Sequence, residues 1–262
     1  MKMPRSWKPV KLTVHVWRHG RKQREGLSPE GVKGDVLYED SIERLSKKGE
    51  ALGKKLMHFW PEKHAVIGLT SGLYRTRQTR DAVFAGLRKS GFKNILAMGD
   101  IHPTMKELPM DWEIFNKILA ERASTPEEKS RASNQIVLDY IKGNGNPAHL
   151  PELDEVKKGL EKTFFGGIYR IAYSPEAKSK KRAFDYYHVM NFTHNPNATV
   201  LLAMIREKAG LELGLKHILS EEARIDMRAE KDGLYYKDYW TGKKHMVYSL
   251  EEMEKKFGKK GV

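Results

Sequence analysis

A chain of 262 residues with 39% hydrophobic and 31% charged positions carries enough apolar side chains to bury a core of its own, which excludes a wholly disordered polypeptide. It has no cysteine, so disulfides, thiolate nucleophiles and thiolate metal sites are excluded as well. Its formal net charge of +14 sets up a positive field that draws anions, whether small phosphorylated metabolites, nucleic acid or an acidic membrane face.

Met1 to Trp17 alternates Lys, Arg and Pro with short apolar runs and lacks the continuous apolar stretch of a secretory signal. No uncharged apolar run approaches the roughly 18 residues of a membrane span. The expectation is a soluble, cytoplasmic protein with no membrane partner. Lys11–Trp17 reads as a β-branched strand that runs into Arg18-His19-Gly20, where glycine permits a tight turn. Next, Ser46 is expected to cap a helix carrying Leu52, Leu56 and Phe59 and stopped by Pro61. His64–Thr70 reads as a second buried strand, and Tyr74 to about Lys89, with Thr79, Val83 and Leu87, as a second helix. A third strand is expected around Ile95–Met98, leading into Ile101–Leu108.

From Pro109 to about Lys181 the chain is rich in Glu, Lys and Ala with helical periodicity, broken at Gly143-Asn144-Gly145-Asn146-Pro147 and at Gly166-Gly167. This predicts a helical insertion over about 109–185 within one domain spanning 1–262. The strand pattern returns at Tyr187–Phe192, after which Asn195 suits an N-cap and Pro196 the first helical position of an apolar helix through Ala198, Leu201, Leu202 and Ile205. A hairpin is expected around Trp240-Thr241-Gly242-Lys243, and Lys255–Lys260 reads as a solvated basic tail. The alternation predicts an α/β fold, a mainly parallel central sheet flanked by helices.

His19 and His194 each follow a predicted strand, at the edge where open α/β sheets bind ligands. His194 also precedes a helix whose positive end favours an anion. Arg18 adjoins His19, and Arg75 opens a helix after another strand. Several cations can thus converge on one pocket, and a phosphoryl-transfer transition state, with its charge spread over three oxygens, rewards that arrangement. A neutral imidazole can supply the nucleophile, since neighbouring cations disfavour its protonation. Glu107, by its place in the chain, is the candidate proton donor, with Asp111 and Glu113 as competing carboxylates. His15 and His19 do not converge on a metal, being four apart on a strand rather than a helix.

Val16-Trp17-Arg18-His19-Gly20 resembles the signature of the histidine phosphatase (phosphoglycerate mutase-like) superfamily. Leu45-Ser46-Lys47-Lys48-Gly49 resembles that family's Leu-Thr-x-x-Gly helix start, and Thr70-Ser71-Gly72-Leu73-Tyr74-Arg75-Thr76-Arg77-Gln78-Thr79 its Ser-x-Leu-x-Arg-Ala-x-Gln-Thr motif. Met105-Lys106-Glu107-Leu108 resembles the segment bearing its acid, and Phe192-Thr193-His194 the strand end with its second histidine. The resemblance implies that His19 becomes phosphorylated, that Arg18, Arg75 and His194 hold the phosphoryl group, that Glu107 donates the proton, and that the insertion selects the substrate. The chain departs from the pattern too. Arg21 and Lys22 follow the first motif, Asn195 stands where a glycine is usual, and the Ser-x-Trp-Asn continuation of cofactor-dependent mutases is replaced by Gln23-Arg24-Glu25-Gly26.

The leading expectation is therefore a phosphomonoesterase acting on a small, multiply anionic substrate, with Lys22 and Asn195 added to the phosphate-binding set and with no metal and no organic cofactor. One rival is a mutase-like phosphotransferase. Another is a catalytically silent anion- or nucleic-acid-binding protein, against which the retained histidines and arginines and the absence of aromatic-basic interleaving both speak. Substrate and oligomeric state are not encoded in these patterns.

Overall fold

The computed structural model describes residues 11–258 apart from 24, 59, 101–110, 147–148, 176 and 178–182. In chain order the strands are β1 (Lys11–Arg18), β2 (Lys22–Gln23), β3 (Val36–Leu37), β4 (His64–Thr70), β5 (Ile95–Asp100), β6 (Tyr186–Thr193), β7 (Arg224–Glu230), β8 (Gly233–Lys237) and β9 (Lys244–Ser249). Seven of them form one sheet in the order β5-β4-β6-β1-β7-β8-β9, and β2 pairs separately with β3. Strands β5, β4, β6 and β1 run parallel, which is the expected α/β core. Leu12, Val14 and Val16 on one face of β1 and Trp17 on the other are all buried, as a strand covered on both sides requires.

Helices α1 (Glu39–His58) and α2 (Tyr74–Lys89) cover one face, with Leu45, Leu52, Phe84 and Leu87 packed against Trp17, Met190 and Phe192. The two helices approach closely because a Cβ on Gly86 would stand 1.9 Å from the Ser46 carbonyl oxygen, and one on Gly49 would stand 2.0 Å from that of Val83. The segment expected to be helical holds α3 (Trp112–Arg122), α4 (Pro126–Lys142), α5 (Leu153–Leu160) and α6 (Gly166–Ala172), the last two joined by a π-helical turn at Glu161–Phe165. From Leu160 onward this segment packs on the opposite sheet face through Phe165, Ile168 and Tyr173, alongside α7 (Asn197–Lys208) and α8 (Leu250–Phe257). Among the described residues no helix is long and apolar enough to cross a membrane.

Several boundaries differ from the sequence expectation. Helix α1 begins at Glu39, whose acidic first turn suits the helix dipole, so Ser46 lies inside it. Helix α7 begins at Asn197 after a cis Asn195-Pro196 bond. Asn195 is therefore no N-cap, and its Oδ1 accepts from the Thr199 hydroxyl at 2.8 Å. The hairpin at Trp240–Lys243 is present, but it belongs to a three-strand antiparallel extension, β7-β8-β9. Lys255 and Lys256 are not a frayed tail. They lie in α8, which opens with a Ser249/Glu252 capping box and is held by Lys256 against Glu161 at 2.5 Å.

A chain of side-chain hydrogen bonds crosses the α1/α2 face of the sheet. Asp226 pairs with His15 Nδ1 at 2.6 Å, His15 Nε2 lies 3.4 Å from His188 Nδ1, and His188 Nε2 lies 3.0 Å from His64 Nδ1. Burial would raise the Asp226 carboxyl pKa, but His15 and Arg224 outweigh it and bring the value down to about 2.

Candidate active site

The ends of three adjacent parallel strands build the reaction centre. Register pairs Arg18 with Thr193, so the residues that follow, His19 and His194, emerge side by side at the carboxyl edge. The His19 N–H donates to the Thr193 carbonyl at 2.9 Å, and the Ser71 N–H, just past β4, donates to the Phe192 carbonyl at 3.1 Å. Gly20 then turns the chain beneath α1, where a Cβ would meet Ser41 Oγ at 2.4 Å. Its N–H donates to Thr79 Oγ1 at 3.2 Å, which ties the turn to α2.

The His19 ring is buried, and its Nδ1–H donates to the Gly20 carbonyl at 2.7 Å. A carbonyl can only accept, so this bond places the ring hydrogen on Nδ1 and leaves the lone pair on Nε2. Burial, then Arg75, then Arg18 hold the His19 pKa well below the ordinary imidazole value. His194 is pushed down to about 3 by burial first, then by Arg75, Arg18 and Lys22. Its Nδ1 lies 3.3 Å from Ser71 Oγ, while Nε2 is buried with no hydrogen-bond partner among the described residues. Both rings are neutral donor-acceptors beside fixed positive charge.

Arg75 projects from the first turn of α2 and is held by Asp35. The Asp35 carboxylate accepts from Arg75 Nη1 at 2.9 Å and from the backbone N–H groups of Tyr74 and Arg75 at 2.8 and 3.2 Å. It thereby caps the helix and aims the guanidinium at once. Arg18 is tied through its backbone N–H to the Ala223 carbonyl at 3.0 Å and through Nη1 to the Leu219 carbonyl. Asp35 and the 219–223 loop escaped the sequence reading because both act across long chain separations from irregular segments. Ser71 stood inside a motif but carried no assigned role.

Arg18, His19, Lys22, Arg75, His194 and Asn195 all line one cavity of about 900 Å³, so six of the seven expected site residues come together. Glu107, the seventh, lies outside the described residues. The cavity is roofed by α3 and α4, which contribute Phe115, Asn116, Lys129, Ser133 and Asn134. Half-buried Lys129 has no acidic partner among the described residues. Glu221 is the carboxylate among the cavity's described lining residues.

The lowered His19 pKa has a measurable sign. In the free protein the nucleophilic form persists as pH falls through 6.5, so kcat/KM, corrected for substrate ionisation, is expected to stay flat between pH 7 and about 5.5. An imidazole of ordinary pKa would lose close to tenfold in activity per pH unit below 6.5, and a rate profile with that acid limb would refute the assignment.

No family model matches the chain, and no curated protein does. Among solved structures it is similar to Bacillus stearothermophilus YhfR, at 16% identity and TM-score 0.47 over 90% of this chain and 95% of that one. A mycobacterial hydrolase 1 aligns at 14% identity and TM-score 0.47, over 83% and 89% of the two chains. A Hafnia alvei phytase in complex with myo-inositol hexakis sulphate aligns at 11% identity and TM-score 0.44, over 89% and 84%.

Proposed function

We propose that this protein is a phosphatase that hydrolyses a phosphomonoester through a phosphohistidine on His19, as the resemblance of its motifs to the histidine phosphatase superfamily implies. The observation that carries the reading is the His19 Nδ1–H bond to the Gly20 carbonyl, which leaves Nε2 as a lone-pair nucleophile among Arg18, Arg75 and His194.

In the first step Nε2 forms a bond to phosphorus while the bond to the ester oxygen breaks, and the departing oxygen takes a proton from Glu107. Positive charge develops on the ring, and the Gly20 carbonyl stabilises it at Nδ1. The two guanidiniums balance the phosphoryl oxygens. The Ser71 hydroxyl donates to Thr76 Oγ1 at 3.1 Å and stands 3.3 Å from Nδ1 of His194, which fixes that ring at the cavity wall. In the second step Glu107 accepts a proton from water, the hydroxyl attacks phosphorus, the P–N bond breaks, and neutral His19 and phosphate remain. Lys22, Asn195 and Lys129 extend positive and polar character outward, in keeping with a small, multiply anionic substrate. Helices α3 and α4 are the part of the insertion that selects it.

The test is phosphate release from p-nitrophenyl phosphate and a panel of sugar, nucleotide and glycerate phosphates in the presence of a chelator. The expected result is release that chelation leaves unchanged, with highest kcat/KM on a substrate carrying a second anionic group. Transfer to an added alcohol with no release to water would mean a phosphotransferase. Silence on the whole panel, with nucleic-acid affinity that falls steeply with salt, would mean a binding protein.

A further inference from the structure

A second cavity, of about 690 Å³, lies in the corner between α1 and the β8–β9 loop, within the size range of small-molecule sites. Its rim carries Tyr239, 80% exposed, and Trp240, 36% exposed. The two rings stand edge-to-face at 5.6 Å, and Trp240 is braced from below by His217 at 4.8 Å and by Arg206. Large aromatic faces left to solvent at the mouth of a cavity mark a place where something flat can stack.

The charges lining this cavity are unequally matched. Asp226 accepts from Arg224 at 3.1 Å, Asp238 from Arg206 at 2.8 Å, and Glu222 from Arg44 and Lys48. Glu221 stands close enough to Arg18 to stabilise its charge. Lys55, Lys216 and Lys237 line the same cavity but have no acidic partner among the described residues. Three ammonium groups without acidic partners among the described residues, in a cavity that also carries exposed aromatic rings, suit a ligand that is planar at one end and multiply anionic at the other.

The wall between this cavity and the reaction centre is one strand of chain. Ser220 and Glu221 line both cavities. From the same loop the Leu219 carbonyl accepts from the Arg18 guanidinium, and the Glu222 N–H donates to the His19 carbonyl at 3.2 Å. Glu222 itself sits in the left-handed region at φ +62°. It is held there by Ser41 at 2.7 Å and by Lys48, whose ammonium donates both to the carboxylate and to the Glu222 carbonyl at 3.0 Å. Lys48 also faces the second cavity. Lys48 thus links the second cavity to the loop that positions Arg18 and His19.

We propose that this cavity binds a nucleoside phosphate, stacked on Tyr239 and Trp240 and charge-paired with Lys55, Lys216 and Lys237, and that its occupancy lowers kcat through the 219–223 loop without competing for the catalytic cavity. The test is calorimetric titration of the whole protein with a non-hydrolysable ATP analogue, with orthovanadate saturating the reaction centre. The expected result is binding that vanadate leaves intact and that weakens at least tenfold in K55A/K216A and in Y239A, all exposed positions whose fold is checked by thermal melting. Tripolyphosphate, which has no ring, should lose affinity in K55A/K216A and keep it in Y239A. In steady-state assays the analogue should lower kcat and leave KM unchanged. No binding, or binding that these substitutions do not touch, overturns the site. Binding with unchanged kcat overturns the coupling. Because binding is read without turnover, a failure of the phosphatase assignment is distinguishable from a failure of this one.

Discussion

H19A is expected to abolish phosphate release, with a fall in kcat of about 10⁴-fold or more, the scale seen when a covalent nucleophile is removed. The loss should be chemical rather than structural. The ties that fix this stretch of chain are backbone ties, from the His19 N–H to Thr193 and from the Glu222 N–H to the His19 carbonyl, and alanine keeps both. The ring itself gives up only its bond to the Gly20 carbonyl. The variant should therefore unfold in urea close to the wild type and still bind orthovanadate, since Arg18, Arg75 and His194 remain. Retention of even a tenth of the wild-type rate would mean that water attacks the ester directly and that His19 is not the nucleophile.

R75A is expected to cost about 10² to 10³ in kcat/KM, the loss that follows removal of one preorganised charge from a transition state. Unlike H19A it should also cost stability, because it leaves the Asp35 carboxylate, 1% exposed, without its guanidinium. Breaking a buried pair from one side typically costs about 3–5 kcal/mol. The lower end applies here, because the N–H groups of residues 74 and 75 still donate to Asp35. The double variant R75A/D35N separates the two roles, recovering stability in urea without recovering activity. Arg75 is also the second cause, after burial, of the lowered His19 pKa. Its removal therefore raises that pKa, and the acid limb of the residual activity should move upward in pH. An R75A protein with wild-type kcat/KM would remove Arg75 from the phosphate site.

Much of the site was legible in the sequence because a strand that is buried on both faces has little freedom in where it ends. Once Lys11–Trp17 and Tyr187–Phe192 read as strands of a mainly parallel sheet, Arg18-His19 and His194 had to emerge at its carboxyl edge. The register Arg18 to Thr193 makes that neighbourhood concrete. Features that depend on chain crossing back from far away were not legible. Asp35 meets Arg75 from an irregular loop, and Glu222 reaches Ser41 and Lys48 of α1 from the loop before β7. The Asp226–His15–His188–His64 chain is a consequence of strand register that no spacing within one strand reveals. Helix starts were the weakest reading. Ser46 looks like a cap in isolation, yet the acidic pair Glu39-Asp40 starts the helix two turns earlier, and the turn at Asn195-Pro196 moves the start of α7 to Asn197. The basic residues near the chain's end read as a tail because their apolar partners, Tyr169 and Tyr248 against Phe257, lie on other elements.

The measurement that reaches the central claim most directly is rapid acid-free quenching of a turnover reaction, followed by peptide mapping of the trapped protein. A phosphoryl group on the peptide carrying His19, stable to alkali, labile to acid, and formed and lost at rates compatible with kcat, is the result predicted. Turnover that proceeds with no such adduct, or with the phosphoryl group on another residue, would contradict it.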